Sequence, residues 1–165
     1  MKLTNRSKTS TSYYIFVAAD SDRHRLNMPS AFELASYRLS RKEWGLRSGT
    51  SNRTNIKVGD MVLVYISGRR QNSQTFIAQA EILGGPIPNR GSKTDSPIES
   101  ASIFSEYKVS LTKIKIFKTP LKIHKLIRKL SFIKPERVLM WRIYFQGGTI
   151  RIPEKDFLYL VSAAH

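Results

Sequence analysis

Apolar residues come along this chain in short runs set between polar and basic stretches. Tyr13–Ala18 is rich in aromatic and β-branched residues and predicts a first strand. The polar stretch Asp20–Pro29 ends in proline and reads as a loop. Ser30 followed by Glu33 has the spacing of a capping box, in which each side chain satisfies a free amide at a helix start. A helix is therefore expected to run to about Leu39 and to end in the basic stretch Ser40–Glu43. Trp44-Gly45-Leu46 follows, then a loop over Arg47–Asn55 made of Arg, Ser, Gly, Thr and Asn. Val58-Gly59-Asp60 reads as a turn feeding a strand over Met61–Ser67. After the polar segment Gly68–Gln74 the chain returns as a strand over Thr75–Leu83, completing a hairpin with a long loop. Gly84–Ala101 holds three Gly and three Pro and reads as a loop, the segment expected to move most.

The second half begins with alternation over Tyr107–Phe117. Its apolar phase slips between Leu111 and Ile114, which predicts a bulge. Thr119-Pro120 sets a cap residue before a favoured first helical position. Ile123, Leu126, Ile127 and Leu130 then form an i, i+3, i+4, i+7 stripe, predicting a helix over Leu121–Leu130. Its other side carries Lys122, Lys125, Arg128 and Lys129 with no acid to balance them. Met140–Phe145 reads as a strand, Gly147-Gly148 as a turn and Thr149–Ile152 as another strand. Pro153 opens a last helix whose first turn holds Glu154 and Asp156, where the helix dipole favours acids. About six strands mixed with three short helices, without βαβ regularity, predict an α+β or barrel-like domain. One domain is expected over residues 13–165, behind a flexible basic tail at 1–12.

Charge changes the picture most. The 165 residues carry 28 Lys and Arg against 12 Asp and Glu, a net +16. Such a surplus gathers anions near the surface and speaks of partners rather than of fold. Nucleic acid is the leading polyanion, ahead of anionic membrane and acidic protein; a merely solvated basic surface is the alternative. No apolar run approaches the roughly 20 residues of a membrane-spanning helix, and no apolar leader follows the start. No membrane partner is therefore expected. There is no cysteine, which removes disulfides, thiolate metal sites and thiol nucleophiles and fits a reducing, cytoplasmic setting.

Catalysis finds little support. His24, His124 and His165 lack ligand spacing, so no metal is expected, and no cofactor. No pair of acids is placed for proton transfer, and no phosphate-cradling Gly-rich loop or nucleophile elbow is present. Trp44 is more informative. It lies among Arg41, Lys42 and Arg47 and ahead of a Gly/Ser/Asn loop, a stacking plane beside phosphate-seeking cations. Composition alone slightly favours the other reading, a tryptophan that plugs the core.

At these residues the chain resembles a known family. Trp44-Gly45-Leu46, Asn52, Lys57-Val58-Gly59-Asp60 and Tyr65-Ile66-Ser67-Gly68 match the first half of EVE domains in type and order. Tyr107–Val109, Pro120-Leu121, Leu130-Ser131-Phe132-Ile133, Trp141, Phe145, Gly147-Gly148 and Asp156 follow the family's closing pattern, so the likeness spans about Tyr13 to Val161. The resemblance implies a PUA-like pseudobarrel, related to YTH and ASCH domains, that holds one base, often a modified one, of DNA or RNA. It casts Trp44 as pocket wall, Asn52 as polar reader, and Gly45, Tyr65, Ser67 and Gly68 as pocket lining. From charge and location, Arg41, Lys42, Arg47, Arg53, Arg69, Arg70, Lys122, Lys125 and Lys129 are the candidate phosphate contacts. The stretch Pro86–Ser102 lacks the aromatic residue a second wall would need, which leaves Phe104, Tyr107 or Trp141 for that role. Two other functions stay open: an ASCH-like nucleoside or amide hydrolase using Lys57 with Glu43 or Asp60, and a charge-driven RNA- or ribosome-associated adaptor.

Overall fold

The computed structural model describes residues 10–20, 28–90, 98 and 105–165. Strand β1 (Tyr13–Ala18) is buried on both sides, which is why it reads as a continuous apolar run rather than an alternating one. Tyr14, Phe16 and Ala18 enter one apolar cluster and Ile15 enters another. Helix α1 (Ala31–Ser40) starts where the capping box requires: Glu33 N donates to Ser30 Oγ at 3.2 Å and Ser30 N donates to Glu33 Oε2 at 2.7 Å. It buries Ala31, Ala35 and Leu39 against the first cluster.

Trp44 and its neighbours form a short strand, β2 (Glu43–Leu46), for which the alternation of four residues is too brief to be read. Strand β3 (Met61–Ile66) ends one residue before the expected limit. Strand β4 (Thr75–Pro88) runs past the expected Leu83 and through Gly84-Gly85-Pro86, because β5 (Tyr107–Lys122) supplies partners as far as Pro88. Residues 91–97 and 99–101 of the predicted Gly/Pro loop, like His24, Phe104 and most of the expected tail, lie outside those described. The slip in β5 is real: its register with β4 shifts between Thr112 and Lys115, and Lys113 takes a left-handed φ of 48°.

Two predicted elements are replaced. The helix over Leu121–Leu130 does not form. Leu121 and Lys122 pair with Phe76 and Thr75 at the end of β5, so the ladder takes the residues that would have begun the helix. Two 3-10 turns follow, Ile123–Lys125 and Ile127–Lys129, separated by Leu126 at φ −119°. Burial survives the change, for Ile123, Leu126 and Leu130 still point into the second cluster. The strand predicted over Met140–Phe145 is instead part of a kinked 3-10 segment, Pro135–Phe145, whose Trp141 and Phe145 are buried. Strand β6 (Thr149–Ile152) and helix α2 (Glu154–Ala163) match the sequence pattern.

The six strands make one sheet in the order β2-β5-β4-β3-β1-β6. β1 and β3 are parallel; every other pair is antiparallel. Register shifts along the long β4–β5 ribbon let the sheet curl. The segment 47–60 then bridges its two edges: Thr149 Oγ1 donates to the Ser51 carbonyl, and Tyr14 OH donates to Asn55 O. The result is the α+β pseudobarrel that was expected, with α1 on one side of the sheet and the 3-10 turns and α2 on the other.

Candidate nucleic-acid interface

The parallel pair β1 and β3 ends at one rim. Ser67 seals the two strand ends together: its N and Oγ both donate to Ala18 O at 2.9 Å. Gly68 turns the chain at φ 103°, and a β-carbon there would come within 3.0 Å of an Asp20 oxygen, so glycine suits the site twice over. Asp20 joins three pieces of the rim. It accepts from Ala31 N at the start of α1 at 2.9 Å, approaches Arg70 at 3.9 Å and abuts Gly68. On the facing side Gly147-Gly148 packs against Thr50 and Ser51, while Val17 N donates to Gly148 O at 2.8 Å. Asn52 sits in this same loop at φ 60°, a left-handed conformation that asparagine tolerates. Its side-chain amide makes no hydrogen bond among the described residues and is only half-buried. One acceptor and two donors are thus unspent.

Trp44 lies inside the barrel. It is 1 % exposed, with its ring centroid 5.8 Å from that of Phe16. Tyr65 belongs to the opposite cluster, 4.3 Å from Phe145 and 5.1 Å from Phe76, where burial pushes its hydroxyl pKa up. Strand alternation is the reason: Val64 and Ile66 face the Trp44 side, so Tyr65 between them must face away. Trp44 and Tyr65 therefore do not line one pocket. Trp141 is also on the Tyr65 side, so of the candidate partners for Trp44 only Tyr107 packs against its cluster among the described residues. Gly45 matters by close approach, since a β-carbon there would clash with the Ser105 side chain.

Arg38 was not anticipated. Its guanidinium stands 5.2 Å over the Trp44 ring and donates to Ser105 Oγ at 3.3 Å, and the residue is 7 % exposed. Its Nε has no hydrogen-bond partner among the described residues. Burial, then the charge of Arg47, pushes its pKa down to about 10, so it remains a cation at neutral pH. The signal was present in the sequence, for Arg38 follows Leu34 by four and Ala35 by three on the buried stripe of α1.

The surface cations fall into two groups. Arg47, Arg53, Arg69 and Arg70 flank the rim on loops. Arg53 stacks 4.0 Å over the Tyr107 ring, and Glu106 accepts from Ser48 N at 2.8 Å, which together hold the loop start. That hydrogen bond holds the Glu106 carboxyl below its ordinary pKa. Arg41 and Lys42 are exposed where α1 ends. Lys122 is exposed at the end of β5, and Lys125 and Lys129 on the turns after it, with Lys129 Nζ 6.0 Å from the Tyr159 ring.

The candidate acids Glu43 and Asp60, and Asp156 with them, are occupied structurally. Asp60 is fully buried and accepts from Ser12 N and Lys57 N, both at 2.9 Å. Glu43 pairs with Lys108 at 3.4 Å. Asp156 accepts from Ser131 N, Ser131 Oγ and Phe132 N, fastening α2 to the segment before it. Among the described residues no group of His, Asp and Glu is gathered for a metal, and no helix is long and apolar enough to cross a membrane.

The family model described as the EVE domain matches residues 28–163. No curated protein matches the chain. Among solved structures, human THYN1 in complex with DNA containing 5-methylcytosine is similar with a TM-score of 0.58 at 12 % identity, covering 94 % of this chain and 98 % of that one. Protein Atu2648 of Agrobacterium tumefaciens is similar at 0.53 and 13 %, covering 93 % of each. The YTH domain-containing protein mmi1, in complex with RNA, is similar at 0.51 and 11 %, covering 92 % of this chain and 80 % of that one.

Proposed function

This chain belongs to the EVE domain family, and from that premise we propose that it is a nucleic-acid-binding domain which holds one base, modified or flipped, at the rim of its pseudobarrel. The observation that carries the reading is the unspent Asn52 amide in the loop that packs on Gly147-Gly148, at the end of the barrel where β1 and β3 are sealed together, with arginines on the flanking loops. An amide of that kind can read the polar edge of a base, while the arginines take up flanking phosphates. The contents of the similar structures, 5-methylcytosine DNA in one and RNA in another, favour the same class of ligand. Trp44 is a core residue packed on Phe16, so its part is to hold the fold and not to stack on the base. Binding rather than turnover is the better reading, because both oxygens of Asp60 are taken by backbone amides and Glu43 is paired with Lys108.

The test compares matched oligonucleotides with and without 5-methylcytosine, as DNA and as RNA, against the parent and Asn52→Ala. The parent is expected to prefer one modified form, and Asn52→Ala to lose that preference while keeping salt-dependent background binding. Equal affinity of the parent for every matched pair would reduce the protein to a charge-driven binder. Release of a free nucleoside or ammonia, abolished by Lys57→Ala, would establish the hydrolase instead.

A further inference from the structure

The segment Pro135–Phe145 holds the most exposed large apolar side chain among the described residues. Leu139 is 89 % exposed, Met140 57 % and Ile143 41 %. Three such side chains gathered in water on one short segment mark a contact surface. The segment is anchored from below by Trp141 and Phe145, whose rings lie 5.8 Å apart in the second core cluster. Met140 departs from helical geometry at φ −106°, ψ 23°, and this kink turns the apolar residues outward as a knuckle. Its surroundings are cationic: Lys134, Arg137 and Arg142 flank it, with Glu136 the one acid from 134 to 145.

The C-terminal part of the segment connects to the rim at two points. Arg142 donates to Gln74 Oε1 at 3.4 Å, and Gln74 Nε2 in turn donates to Gly68 O at 3.2 Å. On the other side, Phe145 is followed within three residues by Gly147-Gly148, packed on the Asn52 loop. The knuckle therefore stands beside the place where a base would enter. A base within a duplex reaches such a site only by leaving its stack, and the gap it leaves is apolar above and below. Aliphatic wedges flanked by Arg and Lys fill such gaps in architectural DNA-binding proteins.

We propose that Leu139 and Met140 form a wedge that enters the base stack of a duplex, while Lys134, Arg137 and Arg142 take its phosphates. The occupant is duplex nucleic acid rather than a protein because the apolar residues are ringed by cations on a chain of net +16. This inference rests on the nucleic-acid reading above. The test uses the full chain and a duplex carrying 2-aminopurine beside a central 5-methylcytosine, together with its single strand. Parent protein is expected to raise the 2-aminopurine fluorescence of the duplex at saturation. The double variant Leu139→Ala/Met140→Ala should lose that rise and bind duplex at least about fivefold more weakly, with single-strand affinity kept. Both side chains lie in water, so its melting temperature should equal that of the parent; if it does not, Leu139→Ser alone serves. Binding by the parent without a fluorescence rise overturns the wedge and leaves the base-binding reading intact. An equal rise with the variant also overturns it, as does a parent dimer that the variant abolishes. Failure of the parent to bind any oligonucleotide at low salt overturns both.

Discussion

At the scale of single residues, Trp44 is a core side chain and Asn52 a loop side chain, so their replacements should be read by different measurements. Trp44 is sealed against Phe16 beneath Arg38, so Trp44→Ala opens a cavity and should cost about 3–5 kcal/mol of stability. Denaturant unfolding measures this directly; a loss below about 1 kcal/mol would mean that the ring is not held by the core. Asn52 touches little and should be replaceable by alanine within roughly 0.5 kcal/mol of stability, its effect appearing in ligand discrimination alone. A left-handed φ at this position makes alanine slightly strained, so Asn52→Gly is the matching control.

At the scale of elements, the capping box and the loop tether are the local devices that shape the rim. Ser30→Ala removes an acceptor from the α1 amides and should cost about 1 kcal/mol, read as a lowered melting temperature. Glu106 holds Ser48 N, and its carboxyl titrates below the ordinary 4.5 because that amide favours the charged form. The sign follows: a depressed folded pKa supports the folded loop fully above pH 4.5 and loses its contribution as pH falls below that value. The Ser48 amide resonance should therefore titrate with an apparent pKa under 4.5 and stop doing so in Glu106→Gln. A midpoint at or above 4.5 contradicts the tether. The lost helix at Leu121–Leu130 belongs to this scale too, since three of the four residues of an aliphatic stripe at helical spacing, Ile123, Leu126 and Leu130, were buried without it.

At the scale of the whole molecule, a net +16 sets the strength and salt response of any polyanion complex. With roughly four to six phosphates neutralised, log K should fall against log salt with a slope of about −3 to −5. Lys122 ends β5, and Lys125 and Lys129 lie on the turns after it, so replacing all three with glutamine asks how far the footprint extends beyond the rim arginines. A slope shallower by about 2 to 3 with discrimination preserved would put them on the phosphate track; an unchanged slope would leave them solvated. A flat dependence for the parent would end the electrostatic account.

Much of this protein was legible in its sequence where one local interaction decides structure. The run Tyr13–Ala18, the Ser30–Glu33 box, the phase slip after Leu111 and the Pro153 helix start each carry their cause within a few residues. The ordered series from Trp44 to Asp156 was enough to identify the family and with it the pseudobarrel. What needed the tertiary structure was every feature settled by partners distant in the chain. β4 outran its Gly/Pro signal because β5 was there to pair with it, and β5 captured Leu121 and Lys122 because Phe76 and Thr75 lay opposite. The same holds for the site. The loop that carries Asn52 meets Gly147-Gly148, through Thr50 and Ser51, only because the curled sheet brings its two edges together across segment 47–60. Trp44 and Tyr65 part company because β2 and β3 side chains enter different faces of that sheet. Local free energies of about 1 kcal/mol can propose an element, but burial of large side chains at several kcal/mol each decides which face they take.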